Sequence, residues 1–255
     1  MAISTPFGGY STIFQENRFG KFPLIADDWT KGRQTSGESI LAKNSLRYEV
    51  LPERQMELYR KLKKQGWLHA FYLAGGTALA LQIGHRQSLD FDFFLQGDFE
   101  NQVIYEKLKR IGRFELFSES ENTLHGLLDE VNVSFLGYDY PLLGQFGVDG
   151  NIQIASLEDI ACMKLSAIAS RGAKKDFIDI YFLLQKFPLT KLFQFYQKKY
   201  QIESFEYVLL KSLVYFEDAD LDPMPIMREP VYWGKIKNFI IGKIKEFNLL
   251  GKFSD

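Results

Sequence analysis

Residues 71–95 constrain the fold most, because three kinds of secondary structure follow one another there almost without interruption. Residues 71–74 (FYLA) form a short apolar run typical of a buried strand, and Gly75-Gly76 ends it. The next residues, TALALQ, are strong helix formers. Apolar residues then alternate with Asp90 and Asp92 over residues 89–95. This alternation predicts a strand with Leu89 and its apolar successors on one face and both carboxylates on the other.

The glycine turn predicts a site for phosphate. Gly75 and Gly76 allow the backbone to approach an anion closely, and a helix that begins near Thr77 directs unpaired N–H groups and a positive dipole end towards it. Arg86 and Ser88 lie shortly before the acidic strand and could add donors for a triphosphate. A Gly-Gly pair by itself, however, is usually only a turn.

The acidic strand predicts a divalent metal site. Asp90 and Asp92 place two carboxylates side by side, and Mg²⁺ (or Mn²⁺) prefers a few carboxylates with substrate phosphates and water completing its coordination. An isolated Asp-x-Asp is usually a solvated strand face. One ordered run, GGTALALQIGHRQSLDFDFF, contains both the phosphate turn and the metal pair, and this favours transfer of a nucleotide from a nucleoside triphosphate (NTP).

A second charged cluster lies in KLSAIASRGAKKDFIDI. Lys164 and Arg171 are seven residues apart, so on a helix they share a face and could reach phosphates. Asp176 and Asp179 share a face at i and i+3. The alternative is ordinary: such basic residues are common on a wet helix, and Asp176 near a helix start could merely cap it.

The chain divides by pattern into three parts. Residues 1–50 show no sustained period and are interpreted as an irregular arm. Residues 51–150 combine helices with strands expected at 114–117, 123–128 and 131–136. Residues 151–255 show helical periodicity, beginning with a capping box of Ser156 and Asp159.

Composition excludes several classes of protein. Of 255 residues 46% are hydrophobic, which is typical of a globular chain, and the net charge of -1 gives no general attraction to nucleic acid. Contact with RNA would need a local patch, such as the C-terminal lysines, which could equally be a solvated face. One cysteine, no leader pattern and no long apolar run predict a cytoplasmic chain with no membrane contact.

Several motifs in order resemble the AbiEii/AbiGii family of nucleotidyltransferase toxins from bacterial abortive-infection and toxin–antitoxin systems. The resemblance covers about residues 67–240. It is carried by GGTALAL, GHRQSLDFDFF, YPLLG, SLEDIACMKLSAIASRGAKKDFIDIY, SLVYFEDAD and PMPIM.

The resemblance implies an α+β fold: a polymerase-β-like nucleotidyltransferase core with a mixed sheet, followed by a mainly helical region. It implies the phosphate turn at Gly75–Thr77 and the metal pair at Asp90 and Asp92. It makes Lys164 the lysine that contacts the triphosphate, and places the last acidic motif at Asp176 and Asp179. It also suggests RNA, particularly the tRNA 3′ end, as acceptor, and a cognate antitoxin as partner.

One departure from the broader superfamily leaves alternatives open. A third metal-binding acid commonly lies on a later central strand, but residues 131–135 offer only Asn132 and Ser134 on the polar face. Asp176 or Asp179 would then support or replace the base. The alternatives are transfer to a small molecule or a protein, and a non-catalytic module that only binds nucleotides.

Overall fold

The computed structural model describes residues 46–251, so most of the arm predicted for residues 1–50 lies outside the described residues. The helices are α1 Glu53–Leu62, α2 Gly75–Ile83, α3 Asn101–Lys109, α4 Leu157–Ser170, α5 Lys174–Leu183, α6 Leu189–Tyr200, α7 Glu206–Val214, α8 Glu217–Leu221 and α9 Trp233–Gly251. The strands are β1 Tyr72–Ala74, β2 Phe91–Leu95, β3 Phe114–Ser120, β4 Thr123–Leu128, β5 Val131–Gly137, β6 Gly147–Asp149 and β7 Ile152–Ile154.

All seven of these strands form one mixed sheet, in the order β3-β4-β5-β2-β1-β7-β6. β2 runs parallel to β5 and antiparallel to β1, while β1 runs parallel to β7. The expectation of an α+β fold with a mixed sheet and a mainly helical C-terminal region is confirmed.

The two faces of the central strands differ in chemistry, because side chains alternate along each strand. Phe91, Phe93 and Phe135 are fully buried on one face, where the rings of Phe93 and Phe135 stack 5.1 Å apart. On the other face, Asp92 lies in register with Ala74 of β1 and with Ser134 of β5. The buried aromatic layer therefore fixes which face of the sheet carries Asp92.

Some element boundaries differ from the sequence expectation. The helix α2 begins at Gly75 rather than near Thr77. Leu89 precedes β2, and 53% of its surface is exposed, so the prediction that it shares the apolar face was wrong. Because β2 begins only at Phe91, Leu89 lies outside the alternating stretch.

Two strands, β6 and β7, were not predicted. Each is three residues long, which is too short for an alternating pattern to stand out. The turn between them contains Gly150, at a φ of +63°. The sequence pattern predicted the boundary between the core and the helical region at this residue. Because β7 pairs with β1, the sheet continues past that point. The division into an arm, a core and a helical domain remains a prediction.

The helical region begins as the capping box predicts, since Ser156 accepts a hydrogen bond from the backbone N–H of Asp159 at 3.1 Å. The Asp159 carboxylate also forms a fully buried ion pair with Lys199 on α6 at 2.7 Å and accepts backbone N–H groups of Leu143 and Gly144. This buried pair fastens the YPLLG turn to α4 and α6. Within residues 46–251, no helix combines the length and apolar character needed to cross a membrane.

Candidate active site

The bend between β1 and α2 brings Gly75 against Asp92. Gly75 has a φ of +67°, in the left-handed region that favours glycine, and a Cβ placed on it would lie 2.9 Å from Oδ2 of Asp92. The first N–H groups of α2 have no acceptor within the helix and carry its positive dipole end. One of the two predicted metal-binding carboxylates therefore lies at a helix N-terminus suited to anions.

Gly76 and Thr77 connect this bend to the loop before β2. A Cβ on Gly76 would lie 2.5 Å from Nη2 of Arg86 and 3.3 Å from the Ser88 hydroxyl. The buried Thr77 hydroxyl lies 2.8 Å from that of Ser88 and also hydrogen-bonds the carbonyl of Asp90. These contacts fix the start of β2, and thus the position of Asp90, relative to the glycine turn.

The polar face of β5 supports the acidic pair instead of adding a third acid. Asn132 donates a 3.0 Å hydrogen bond from its side-chain amide to Oδ1 of Asp90, and Ser134 donates a hydrogen bond to Asp92. His125 on β4 in turn lies 3.0 Å from the Ser134 hydroxyl. Asn132 and Ser134 thus orient the two carboxylates that are present.

The negative charges of Asp90 and Asp92 are not fully balanced by the cations around them. Burial and the neighbouring charge of Asp90 both raise the pKa of Asp92, while Lys175, Lys164 and the Ser134 hydrogen bond lower it by less. The Asp90 side chain remains 38% exposed. A cation between the two carboxylates would relieve this repulsion.

The donors present fit a magnesium ion. Mg²⁺ is commonly held by one or two carboxylates, with water and substrate phosphates completing the octahedron, so a third protein acid is not required. Within residues 46–251, no cluster of three or more acidic, histidine or cysteine ligands exists. The pair would therefore supply part of the coordination of an ion, and water or substrate phosphates would complete it.

Asp179 lies at the centre of a buried charge cluster, which comprises Arg86, Lys164, Arg171, Asp176 and Asp179. Arg86 grips both oxygens of Asp179 at 2.8 and 2.9 Å, and Lys164 lies 2.6 Å from Oδ2. Burial alone would raise the pKa of Asp179, but the charges of Arg86 and Lys164, with hydrogen bonds from His85 and Arg86, hold it well below its usual value. Asp179 is therefore ionised at neutral pH and a poor base.

Asp176 completes the charge cluster one helical turn earlier. It accepts a 2.8 Å hydrogen bond from Lys164 and is gripped by Arg171, whose Nε lies 2.8 Å from Oδ2. Burial opposes ionisation of Asp176, but Lys164 and Arg171 lower its pKa. The suggestion that Asp176 only caps α5 was wrong, because its carboxylate reaches other elements. Direct contact of Lys164, Arg171 and Arg86 with a triphosphate remains a prediction.

His85 joins this cluster from the loop after α2. Its Nε2 lies 2.7 Å from Oδ1 of Asp179, and its Nδ1 is buried without a hydrogen-bond partner. Burial lowers the pKa of His85 more than Asp179 raises it. We therefore treat His85 as a neutral ring that donates from Nε2, in a supporting role.

The sequence did not predict that the segment 222–228 contributes to the site. This segment, the clamp, contacts both the loop before β2 and the start of α5. Ile226 accepts a hydrogen bond from the Gln87 N–H at 2.8 Å, and Arg228 donates one to the His85 carbonyl at 3.0 Å. At the other end, the Asp222 carboxylate accepts the backbone N–H of Lys174 at the start of α5 at 2.9 Å. The PMPIM motif marked this segment in the sequence but gave no indication of its contacts.

The fold places the carboxylates of Asp90 and Asp92 beside the helix N-terminus at Gly75, an arrangement suited to a divalent ion and a phosphate. The sequence model of the family described as nucleotidyl transferase AbiEii toxin, type IV toxin–antitoxin system, matches residues 57–142 and 129–242. The chain belongs to this family, which confirms the resemblance noted in the sequence. Membership supports nucleotidyltransferase activity and implies an NTP substrate and a cognate antitoxin.

Three individual proteins are similar to this chain over most of its length. An uncharacterized protein of Aquifex aeolicus (strain VF5) is 41% identical over 209 residues, which cover 77% of this chain and 97% of that protein. The crystal structure of JHP933 from Helicobacter pylori has a TM-score of 0.48 at 17% identity, with 77% of this chain and 93% of that one covered. MenT4, a nucleotidyltransferase toxin from Mycobacterium tuberculosis H37Rv, has a TM-score of 0.45 at 12% identity, with 74% and 82% covered.

Proposed function

We propose that the chain transfers a nucleoside monophosphate from an NTP to a hydroxyl of RNA, and that this modification inhibits growth until the antitoxin opposes it. The observation that carries the proposal is the convergence of Asp90, Asp92 and Gly75 at the N-terminus of α2. Family membership supports the toxin role. The RNA acceptor, with the tRNA 3′ end as the first candidate, rests on the family resemblance.

In the proposed reaction the oxygen of the acceptor hydroxyl attacks the α-phosphorus of the NTP. The bond from that phosphorus to the bridging oxygen breaks, pyrophosphate leaves with the electron pair, and the hydroxyl proton passes to water. A magnesium or manganese ion held by Asp90 and Asp92 would neutralise charge that develops on the phosphates. The N–H groups of Gly75, Gly76 and Thr77 would bind the phosphate oxygens.

We assign Asp176 and Asp179 to positioning rather than to proton transfer. Both are fully buried, ion-paired and held at low pKa, which makes them unsuitable as general bases. The ammonium of Lys164 lies 2.8 Å from Asp176 and 2.6 Å from Asp179. The two carboxylates would thus fix the position of the Lys164 ammonium relative to the triphosphate. Arg86 and Ser88, which lie against Gly76, would add donors for the triphosphate.

A labelling experiment tests the proposal and its alternatives. The purified protein is incubated with Mg²⁺, total RNA and each α-³²P-labelled NTP in turn, and the products are separated by size. Label that migrates with RNA is expected for the wild type and absent for Asp90→Asn. Label on protein would identify a protein acceptor instead of RNA, and label in a small-molecule fraction would identify a small-molecule acceptor. Binding of NTP without transfer to any acceptor would favour a non-catalytic module.

A further inference from the structure

Lys175 is the second residue of α5 and faces the acidic pair from the helical side of the site. Its ammonium nitrogen lies 3.8 Å from Oδ2 of Asp90, and 48% of the side chain is exposed. This separation allows electrostatic attraction between the charges but is too long for a hydrogen bond. Among residues 46–251 the ammonium of Lys175 has no hydrogen-bonding acceptor. It is held near the pair by charge alone.

The residues on either side of Lys175 make their contacts away from the acidic pair. Lys174 is buried and donates from its ammonium to the carbonyl of Asp222. Asp176 is buried in the charge cluster. Since the backbone of α5 is fastened by these two neighbours, the Lys175 side chain is presented to the site from a rigid base.

The other cations near the pair already hold carboxylates. Arg86 uses two donors on Asp179 and a third on the Gln87 carbonyl. Lys164 bridges Asp176 and Asp179. Lys175 therefore differs from them in being half-exposed and adjacent to Asp90.

A divalent ion at the acidic pair would change the electrostatic environment of the Lys175 ammonium. An ion between Asp90 and Asp92 would place two positive charges beside the ammonium, which would be repelled. The polyphosphate tail that accompanies the ion brings several negative charges into the same space. Building on the proposed function, we propose that Lys175 is a phosphate-binding residue that pairs with Asp90 in the metal-free site and shifts to the polyphosphate tail of the nucleotide when the ion binds.

This exchange makes two opposite predictions for Lys175→Gln. Binding of Mn²⁺ alone should become several-fold tighter, because no ammonium opposes the ion. Binding of inorganic triphosphate in the presence of Mn²⁺ should become about tenfold weaker, because a charge-assisted hydrogen bond to phosphate is lost. A residue that only maintains the fold would weaken both.

The measurements use the full chain and need no knowledge of the preferred base. Free Mn²⁺ is followed by electron paramagnetic resonance, and inorganic triphosphate by titration calorimetry at saturating Mn²⁺. Lys245→Gln, which removes the same charge from an exposed position on α9, is the matched control and should leave both affinities unchanged. Lys175→Arg should recover most of the triphosphate affinity. Thermal melting of each variant verifies folding.

Each outcome has a distinct meaning. Opposite shifts in Lys175→Gln, with neither in Lys245→Gln, support the exchange. Unchanged triphosphate affinity, or shifts of both affinities in one direction, would overturn it while leaving the acidic pair as the metal site. Failure of the wild type to bind Mn²⁺ and triphosphate at all would overturn both this inference and the proposed function.

Discussion

Replacing Asp179 by asparagine is expected to lower the free energy of unfolding by about 3–5 kcal/mol at pH 7, the cost of removing one partner from a buried ion pair. Three cations of the charge cluster (Arg86, Lys164 and Arg171) face two carboxylates, and the substitution leaves them with Asp176 alone. Arg86 and Lys164 are at most 5% exposed, so water cannot replace the lost charge. Since domains are typically stable by about 5–15 kcal/mol, the loss is a large fraction of the total.

Urea unfolding followed by tryptophan fluorescence measures this effect, and an unchanged denaturant slope would show that the variant still unfolds in the same way. Asp176→Asn should cost less, because its partner Arg171 is 35% exposed and can turn towards water. Glu130→Gln removes one partner of the exposed pair with Arg54 and should cost roughly 0–1 kcal/mol.

The same substitution has a pH signature. The folded-state pKa of Asp179 is depressed, so the ionised group contributes stability above the unfolded pKa of about 3.9, and that contribution is lost as pH falls through the folded value. The difference in the free energy of unfolding between wild type and Asp179→Asn should thus be complete at pH 7 and shrink below about pH 4. A loss under about 1 kcal/mol at pH 7, equal to that of Glu130→Gln, would refute the view of a coupled buried cluster.

Three further substitutions test other parts of the site. Asp92→Asn should raise the melting temperature in EDTA at pH 7, because the raised pKa of Asp92 means that its charge is unfavourable in the folded, metal-free protein; a lower melting temperature would contradict this. Gly75→Ala should cost about 1–2 kcal/mol for its left-handed backbone and reduce transfer activity about 100-fold by displacing Asp92, whereas Gly242→Ala, which has open space at its Cβ, should retain full activity. Lys199→Met should destabilise the protein by about 3–5 kcal/mol in urea unfolding by leaving Asp159 buried without its cation, and an unchanged midpoint would show that the pair is dispensable.

The local pattern of the sequence was enough to predict the elements that carry the acids. Alternation over β2 and the glycine turn before α2 are properties of neighbouring residues, so both were predicted within a few positions. The strand β7 was missed because its pairing with β1 joins residues about eighty positions apart, and three residues show no period.

The environment of the charged residues could not be predicted from spacing. Asp179 contacts His85 and Arg86, which lie more than ninety positions earlier in the chain. Helical spacing placed Asp176 and Asp179 on one face but contained no information about which cations would meet them. The step from candidate phosphate ligands to a largely buried, ion-paired cluster required the tertiary structure.

The clamp formed by residues 222–228 has a genetic consequence. A premature stop codon shortly before it would leave the glycine turn, the acidic strand and α5 intact in sequence. The truncated product would nevertheless lack the groups that hold Gln87 and Lys174 in place. In a screen for bacteria that escape growth arrest, nonsense and frameshift changes should therefore be recovered beyond the last acidic motif as readily as within it.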